Sequence, residues 1–162
     1  MTGGRALCVA GVAAAALLPA GGERAVSAPR VVAVTVSSPA GAAELATGFA
    51  AGGDRVVTVA HVLDGGGTPT VDGRAARVVR VDRSDDLALL SVRGLRAAPA
   101  RVGAGARAAR LLLRTGARPA TVRRAITATV RVEPAPAVRR PALELGADVA
   151  PGDSGAAVVD DR

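Results

Sequence analysis

From Val31 onward the chain runs as short stretches of Val, Thr, Leu and Ala, each closed by a turn containing Gly, Pro or Asp, with no convincing amphipathic helix. Many short β-branched runs at regular spacing argue for an all-β barrel or sandwich. Residues 31–37 read as a first strand, because β-branched side chains fit a pleated surface. Residues 46–50 and 56–60 flank Ala51-Gly52-Gly53-Asp54, a turn signature, and read as a hairpin. Asp72-Gly73 marks a second hairpin, between residues 68–71 and 75–81, and a further strand is expected over 87–92. Residues 99–105 read as a connection between two halves. Beyond it, strands are expected over 110–114, 120–132 (as one strand or two) and 143–145, with residues 133–136 a stiff proline-rich loop. Residues 104–114 also have helical propensity, but Gly103, Gly105 and Gly116 and the brevity of the segment favour a strand.

At 162 residues, 49% hydrophobic and 22% charged, the chain is one globular domain or two small fused lobes. A single Phe and no Trp or Tyr leave a fine-grained core of Val, Leu and Ala, so stability is expected to be modest. The net charge of +7 is carried entirely by arginine, since there is no Lys. Arg74, Arg77, Arg80, Arg83, Arg93 and Arg96 are scattered and lack an aromatic stacking platform, which argues against specific nucleic-acid binding. Loose association with an acidic cell envelope fits the charge better. One histidine and one cysteine leave no metal-ligand set, and no phosphate loop or dinucleotide fingerprint is present, so neither metal nor cofactor is expected.

Residues 1–28 read as a targeting segment. A short positive start over residues 1–5 precedes an almost uninterrupted apolar run over residues 6–20. That run is shorter than the roughly 20 residues needed to span a bilayer and fits the apolar region of a secretory signal peptide. Val26-Ser27-Ala28 offers a cleavage site, with Ala20 and Ala25 as alternatives and an uncleaved anchor also open. The remaining domain is expected over 29–162 and the location is expected to be secreted or extracytoplasmic. Cys8 lies inside the leader, so the mature chain would hold its fold without a disulfide.

Three residues carry candidate chemistry. His61, the only histidine, follows a β-branched strand in Thr58-Val59-Ala60-His61, at the edge of a rigid element where a general base can be held. Asp86 precedes the apolar run Leu87-Ala88-Leu89-Leu90, where a carboxylate entering a buried strand needs a partner such as an imidazole. Its neighbours Asp82 and Asp85 read as solvated loop acids. Ser154 sits between glycines in Pro151-Gly152-Asp153-Ser154-Gly155. A serine hydroxyl becomes nucleophilic only when a base takes its proton, and the oxyanion it creates needs backbone N–H donors, here those of Gly152 and Ser154. His, Asp, Ser is one of the chain orders in which a triad occurs.

Ala46-Thr47-Gly48-Phe49, Thr58-Val59-Ala60-His61-Val62, the Asp85-Asp86 segment with its apolar strand, and Pro151-Gly152-Asp153-Ser154-Gly155 together resemble trypsin-like (chymotrypsin-fold) serine proteases, similar to the bacterial HtrA/Deg and actinobacterial envelope proteases. The resemblance spans roughly residues 31–162. It implies a two-lobed Greek-key double β-barrel with the site in the cleft between the lobes. It also implies His61 as base, Asp86 as its orienter, Ser154 as nucleophile, and Gly152 and Ser154 as the oxyanion hole. Gly48 and Phe49 match a barrel-packing position. Ala156 departs from the pattern, which has a second glycine there. The family continues past the position of Arg162 with a hairpin that closes the second barrel, so that barrel is expected to be incomplete.

The function expected on these grounds is a secreted or envelope serine endopeptidase that hydrolyses protein or peptide substrates through an acyl-enzyme. The alternative is a catalytically inactive trypsin-fold binding or scaffold protein, or a non-functional fragment.

Overall fold

The computed structural model describes residues 9–11, 29–38, 41, 43–101, 108–130 and 136–160. The strands are β1 (Val9–Gly11), β2 (Val31–Ser37), β3 (Ala43–Gly52), β4 (Arg55–Val59), β5 (Thr68–Val71), β6 (Arg74–Ala75), β7 (Arg77–Asp82), β8 (Leu87–Ser91), β9 (Ala108–Leu113), β10 (Gly116–Val130), β11 (Val138–Gly146) and β12 (Ala157–Asp160). A single 3₁₀ turn, His61–Leu63, is the only helical element among the described residues, and no helix there is long and apolar enough to cross a membrane. Two antiparallel sheets result, in the orders β6-β5-β2-β3-β4-β8-β7 and β1-β11-β10-β9-β12. Each curls into a half-barrel, giving the all-β, two-lobed double-barrel architecture expected from the sequence.

The alternation of β-branched residues explains the first lobe. Val32, Val34 and Val36 on β2 all face inward, at 1%, 0% and 3% exposure, while the intervening residues are half-buried. They meet Val56 of β4, Val71 of β5 and Leu90 of β8 in one core cluster. Each fully buried Val or Leu contributes roughly 1.5–3 kcal/mol through apolar area removed from water. Gly48 lies where a Cβ would stand 3.0 Å from Val34, Val56 and the Val57 carbonyl, so the barrel-packing role expected of it is a steric requirement. The second lobe has a smaller core of Ala109, Leu111, Leu113 and Ala120, edged by Val122, Leu145 and Val158.

The Asp72-Gly73 hairpin forms with both residues at positive φ, 48° and 74°, the mirror-image turn that matches strand twist. Its second arm is interrupted: β6 pairs β5, and after Ala76 the chain continues as β7 against β8. Of residues 120–132, open between one strand and two, those described, 120–130, belong to a single strand with two partners. β10 pairs β9 over Gly116 to Thr121 and β11 over Thr121 to Val130, with a register shift between Val122 and Arg124. The segment with helical propensity is strand β9 where it is described. Residues 131–135 and 102–107 lie outside the described residues, and with them most of the two connections expected there. Val9–Gly11, inside the segment read as a leader, pairs with β11.

Candidate active site

Strand β4 delivers His61. The β4–β8 register places Val59 opposite Leu87, so the residues that follow β4 meet those that precede β8. Ala60 thereby comes opposite Asp86, and its N–H reaches both the Asp86 carbonyl, at 3.1 Å, and carboxylate Oδ1, at 3.0 Å. Val62, buried at 2%, pins the 3₁₀ turn that His61 begins into the first core. The sequence therefore fixes the imidazole at the junction of an extended strand and a tight turn.

Asp86 closes the turn from Arg83 with positive φ, 54°, a conformation unusual for a residue with a Cβ. Asp82, read as a solvated loop acid, also organises this turn. Its Oδ1 accepts from Ser84 N at 3.1 Å, Ser84 Oγ at 2.6 Å and Asp85 N at 3.2 Å. Those bonds, led by the Ser84 hydroxyl, hold the Asp82 carboxyl below its ordinary pKa. Asp85 remains exposed.

The Asp86 carboxylate meets His61 at two points. Oδ1 accepts the His61 backbone N–H at 2.9 Å, and Oδ2 lies 2.9 Å from Nδ1 of the ring. Burial alone would push the Asp86 carboxyl up; the His61 ring and backbone N–H bonds and the His61 and Arg140 charges outweigh it, so it lies below 3.8. The hydrogen bond to Asp86 raises the His61 pKa above 6.5 against the opposing effect of burial, with Asp64 and Glu44 adding to the rise. An ionised carboxylate only accepts, so Nδ1 carries the proton of the neutral ring and Nε2 keeps the lone pair.

The loop bearing Ser154 docks on the first lobe through two buried threonines. Thr47 Oγ1 donates to Gly152 O at 2.7 Å and Thr47 N donates to Ser154 O at 2.8 Å. Thr47 O in turn accepts from Thr58 Oγ1 at 2.8 Å. Thr58 stands on β4 three residues before His61, so one short relay ties the serine loop to the strand that leads into the imidazole. Gly152 and Gly155 take positive φ, 90° and 85°. A Cβ on Gly155 would fall 2.1 Å from Thr47 O, so only glycine fits there.

Within the loop, Asp153 N donates to Ala150 O and Ala156 N to Asp153 O. Among the described residues the N–H groups of Gly152 and Ser154 have no such partner, and the exposed Ser154 hydroxyl makes no hydrogen bond to His61. The structure thus joins His61 to Asp86 directly and brings the Ser154 loop to the same strand pair. Leu45 and the Arg114 guanidinium flank Gly152. A cavity of about 220 Å³ lies apart from these residues, lined by Pro29, Arg30 and residues 95–99. No cluster of three or more potential metal ligands occurs among the described residues.

Sequence reasoning missed Thr47, Thr58 and Arg140. The threonines gave a usable signal: each occupies an inward position on an apolar strand, and a buried hydroxyl implies a partner.

The sequence model of the trypsin-like peptidase domain matches residues 46–162, which includes most of β3 and His61, Asp86 and Ser154. No curated protein matches the chain. Among solved structures, the Rv3671c protease of M. tuberculosis in its active form shares 28% identity over 90% of this chain and 79% of that one, with a TM-score of 0.70. Its inactive form shares 32% identity over 82% and 72%, with a TM-score of 0.63. The HtrA-type protease AlgW, solved with a tripeptide, is 22% identical over 83% and 48% with a TM-score of 0.55, a likeness of fold. Because one family's sequence pattern and fold cover both lobes and the segments that bear the histidine, the carboxylate and the serine, this chain belongs to the trypsin-like peptidases and is a serine endopeptidase.

Proposed function

We propose that His61, Asp86 and Ser154 form the catalytic triad of this endopeptidase and that it cleaves protein or peptide substrates through an acyl-enzyme. The observation that carries the reading is the doubly held His61: its backbone and its Nδ1 both meet Asp86 at 2.9 Å, which leaves Nε2 as the basic nitrogen. Ser154 Oγ attacks the peptide carbonyl carbon while its proton passes to Nε2. The oxyanion is met by the N–H groups of Gly152 and Ser154, which have no partner among the described residues, each donor worth about 3–4 kcal/mol in such sites. Collapse expels the amine, which takes the proton from His61. Water then attacks the ester, giving its proton to His61, and the acid departs as Ser154 recovers its hydrogen. Hydrogen bonds between nucleophile and base commonly tighten only when substrate binds, which accommodates the free Ser154 hydroxyl.

Residues 1–28 act as a signal peptide in this reading, which places the enzyme outside the cytoplasm. The net charge of +7 favours contact with an acidic envelope. A fluorophosphonate probe labels Ser154, located by peptide mapping, and labelling disappears in Ser154→Ala and His61→Ala. A folded full-length protein that takes no label overturns the triad and favours the scaffold alternative.

A further inference from the structure

Arg140 is buried to 6% exposure, the only arginine so enclosed among the described residues. It sits on β11 of the second sheet, opposite Ala128 of β10, on the inward face with Ala142. Its neighbour Arg139 points the other way and is exposed. A cation facing a lobe interior is expensive unless something anionic or hydrogen-bonding receives it. Its NH1 reaches across to the first lobe, donating to Ser84 O at 3.4 Å, inside the turn that ends at Asp86. Its Nε has no partner among the described residues. Arg140, Ser84, Asp86 and Arg83 together line a cavity of about 20 Å³. That is room for about one water.

We infer that Arg140 is a positioning residue: reaching from the second lobe, it holds the Asp86 turn and so keeps the Asp86 carboxylate against the His61 ring. The other charged groups facing this pair are Asp64 and Glu44 near the imidazole and Arg83 at the cavity wall, the last already paired with Asp64. Among the described residues Arg140 has no carboxylate within ion-pair distance, and its charge helps to hold the Asp86 carboxyl down. The inference rests on the triad reading for its catalytic consequence, but its structural content does not depend on activity.

The chain's single histidine makes the test direct. In the full-length protein, an NMR pH titration follows the His61 ring and its Nδ1–H resonance in wild type, Arg140→Met and Arg140→Lys. The expected result for Arg140→Met is a His61 pKa displaced towards 6.5 with the hydrogen-bonded Nδ1–H signal weakened. The rate of Ser154 labelling falls on the order of tenfold to a hundredfold, as misplacement of a catalytic group does. Arg140→Lys retains most of both. An unchanged titration and Nδ1–H signal in folded Arg140→Met overturns the inference; so does equal loss in both variants that tracks lowered thermal stability alone. If Arg140→Met does not fold, Arg140→Gln is read by the same criteria. Absence of labelling in wild type sinks the triad reading instead, and leaves the titration to decide on Arg140.

Discussion

Asp86 holds His61 by two parts of the same residue, its Oδ1 accepting the backbone N–H and its Oδ2 meeting ring Nδ1, both at 2.9 Å. A carboxylate gripping only the ring would leave the imidazole free to swing with its backbone. Here the grip on the main chain fixes where the ring starts, and the grip on Nδ1 fixes how it is turned. The Ala60 N–H, shared between the Asp86 carbonyl and Oδ1, makes the arrangement an extension of the β4–β8 ladder.

Asp86→Asn tests the orientation. The amide oxygen can still accept from the Ala60 and His61 backbones, so the fold persists. Its NH₂ then faces Nδ1 and donates to it, which forces the proton onto Nε2 and removes the base. Labelling of Ser154 is expected to slow by about 10⁴-fold, as for this exchange in a triad elsewhere. Near-normal labelling in Asp86→Asn removes Asp86 from the site.

The pKa directions fix the pH behaviour. With neutral imidazole as the proposed base, labelling is expected to fall on the acid side with a midpoint above 6.5. In stability, the raised His61 value means a contribution fully present below 6.5 and lost as pH rises through the folded-state pKa. The lowered Asp86 value means a contribution present above 3.8 and lost as pH falls through its folded-state pKa. The dyad therefore stabilises most between 3.8 and 6.5, and urea unfolding of wild type against Asp86→Asn should show the widest gap there. A gap that instead widens steadily above neutral pH contradicts this assignment.

Much of the fold and of the candidate site could be read from the sequence because the motifs are short and local. Val31–Ser37 emerged with the bounds its β-branched run suggests, and Asp72-Gly73 took the turn its residues demand. His61 and Asp86 were legible from strand edges, since a polar residue at the end of an apolar run must be accounted for. What escaped depends on contacts between distant segments. Arg139 and Arg140 are chemically identical in the sequence, and only the pleat of β11 decides which faces in. Its Ser84 partner lies 56 residues away in the other lobe. Asp82 gave no sign of gathering its own turn, because an acid before Arg-Ser-Asp-Asp reads equally well as solvated. The long β10 was obscured because most of its side chains are exposed, so no alternation marks its course.

Thr58→Val probes the relay between lobes with almost no change of shape. It leaves the buried Thr47 carbonyl without the hydroxyl that meets it at 2.8 Å. Urea unfolding should report about 1–2 kcal/mol of lost stability, together with slower Ser154 labelling as Thr47 loosens its hold on the loop. Thr70→Val is the control, since its hydroxyl reaches Thr35 O only at 3.5 Å and far from the site. Equal effects from the two changes would leave the relay without a special role.

Gly155→Ala should damage both stability and the serine loop. At φ +85° an L-residue is already strained, and the new Cβ would lie 2.1 Å from Thr47 O and 2.9 Å from Thr58 Oγ1. The first obstacle is backbone in the middle of β3, which cannot move without breaking its pairing with β2 at Ala33. The loop must lift instead, taking Ser154 and the Gly152 N–H away from His61. The expected loss is about 3 kcal/mol or more, from strain and overpacking together, with labelling reduced by over about a hundredfold. Gly53→Ala separates the causes: its φ is also positive, +56°, but nothing stands within 4 Å of the added carbon. It should show only the conformational part, about 1–2 kcal/mol, with labelling intact. If Gly155→Ala proves no worse than Gly53→Ala in either measurement, the serine loop does not sit against Thr47 as described.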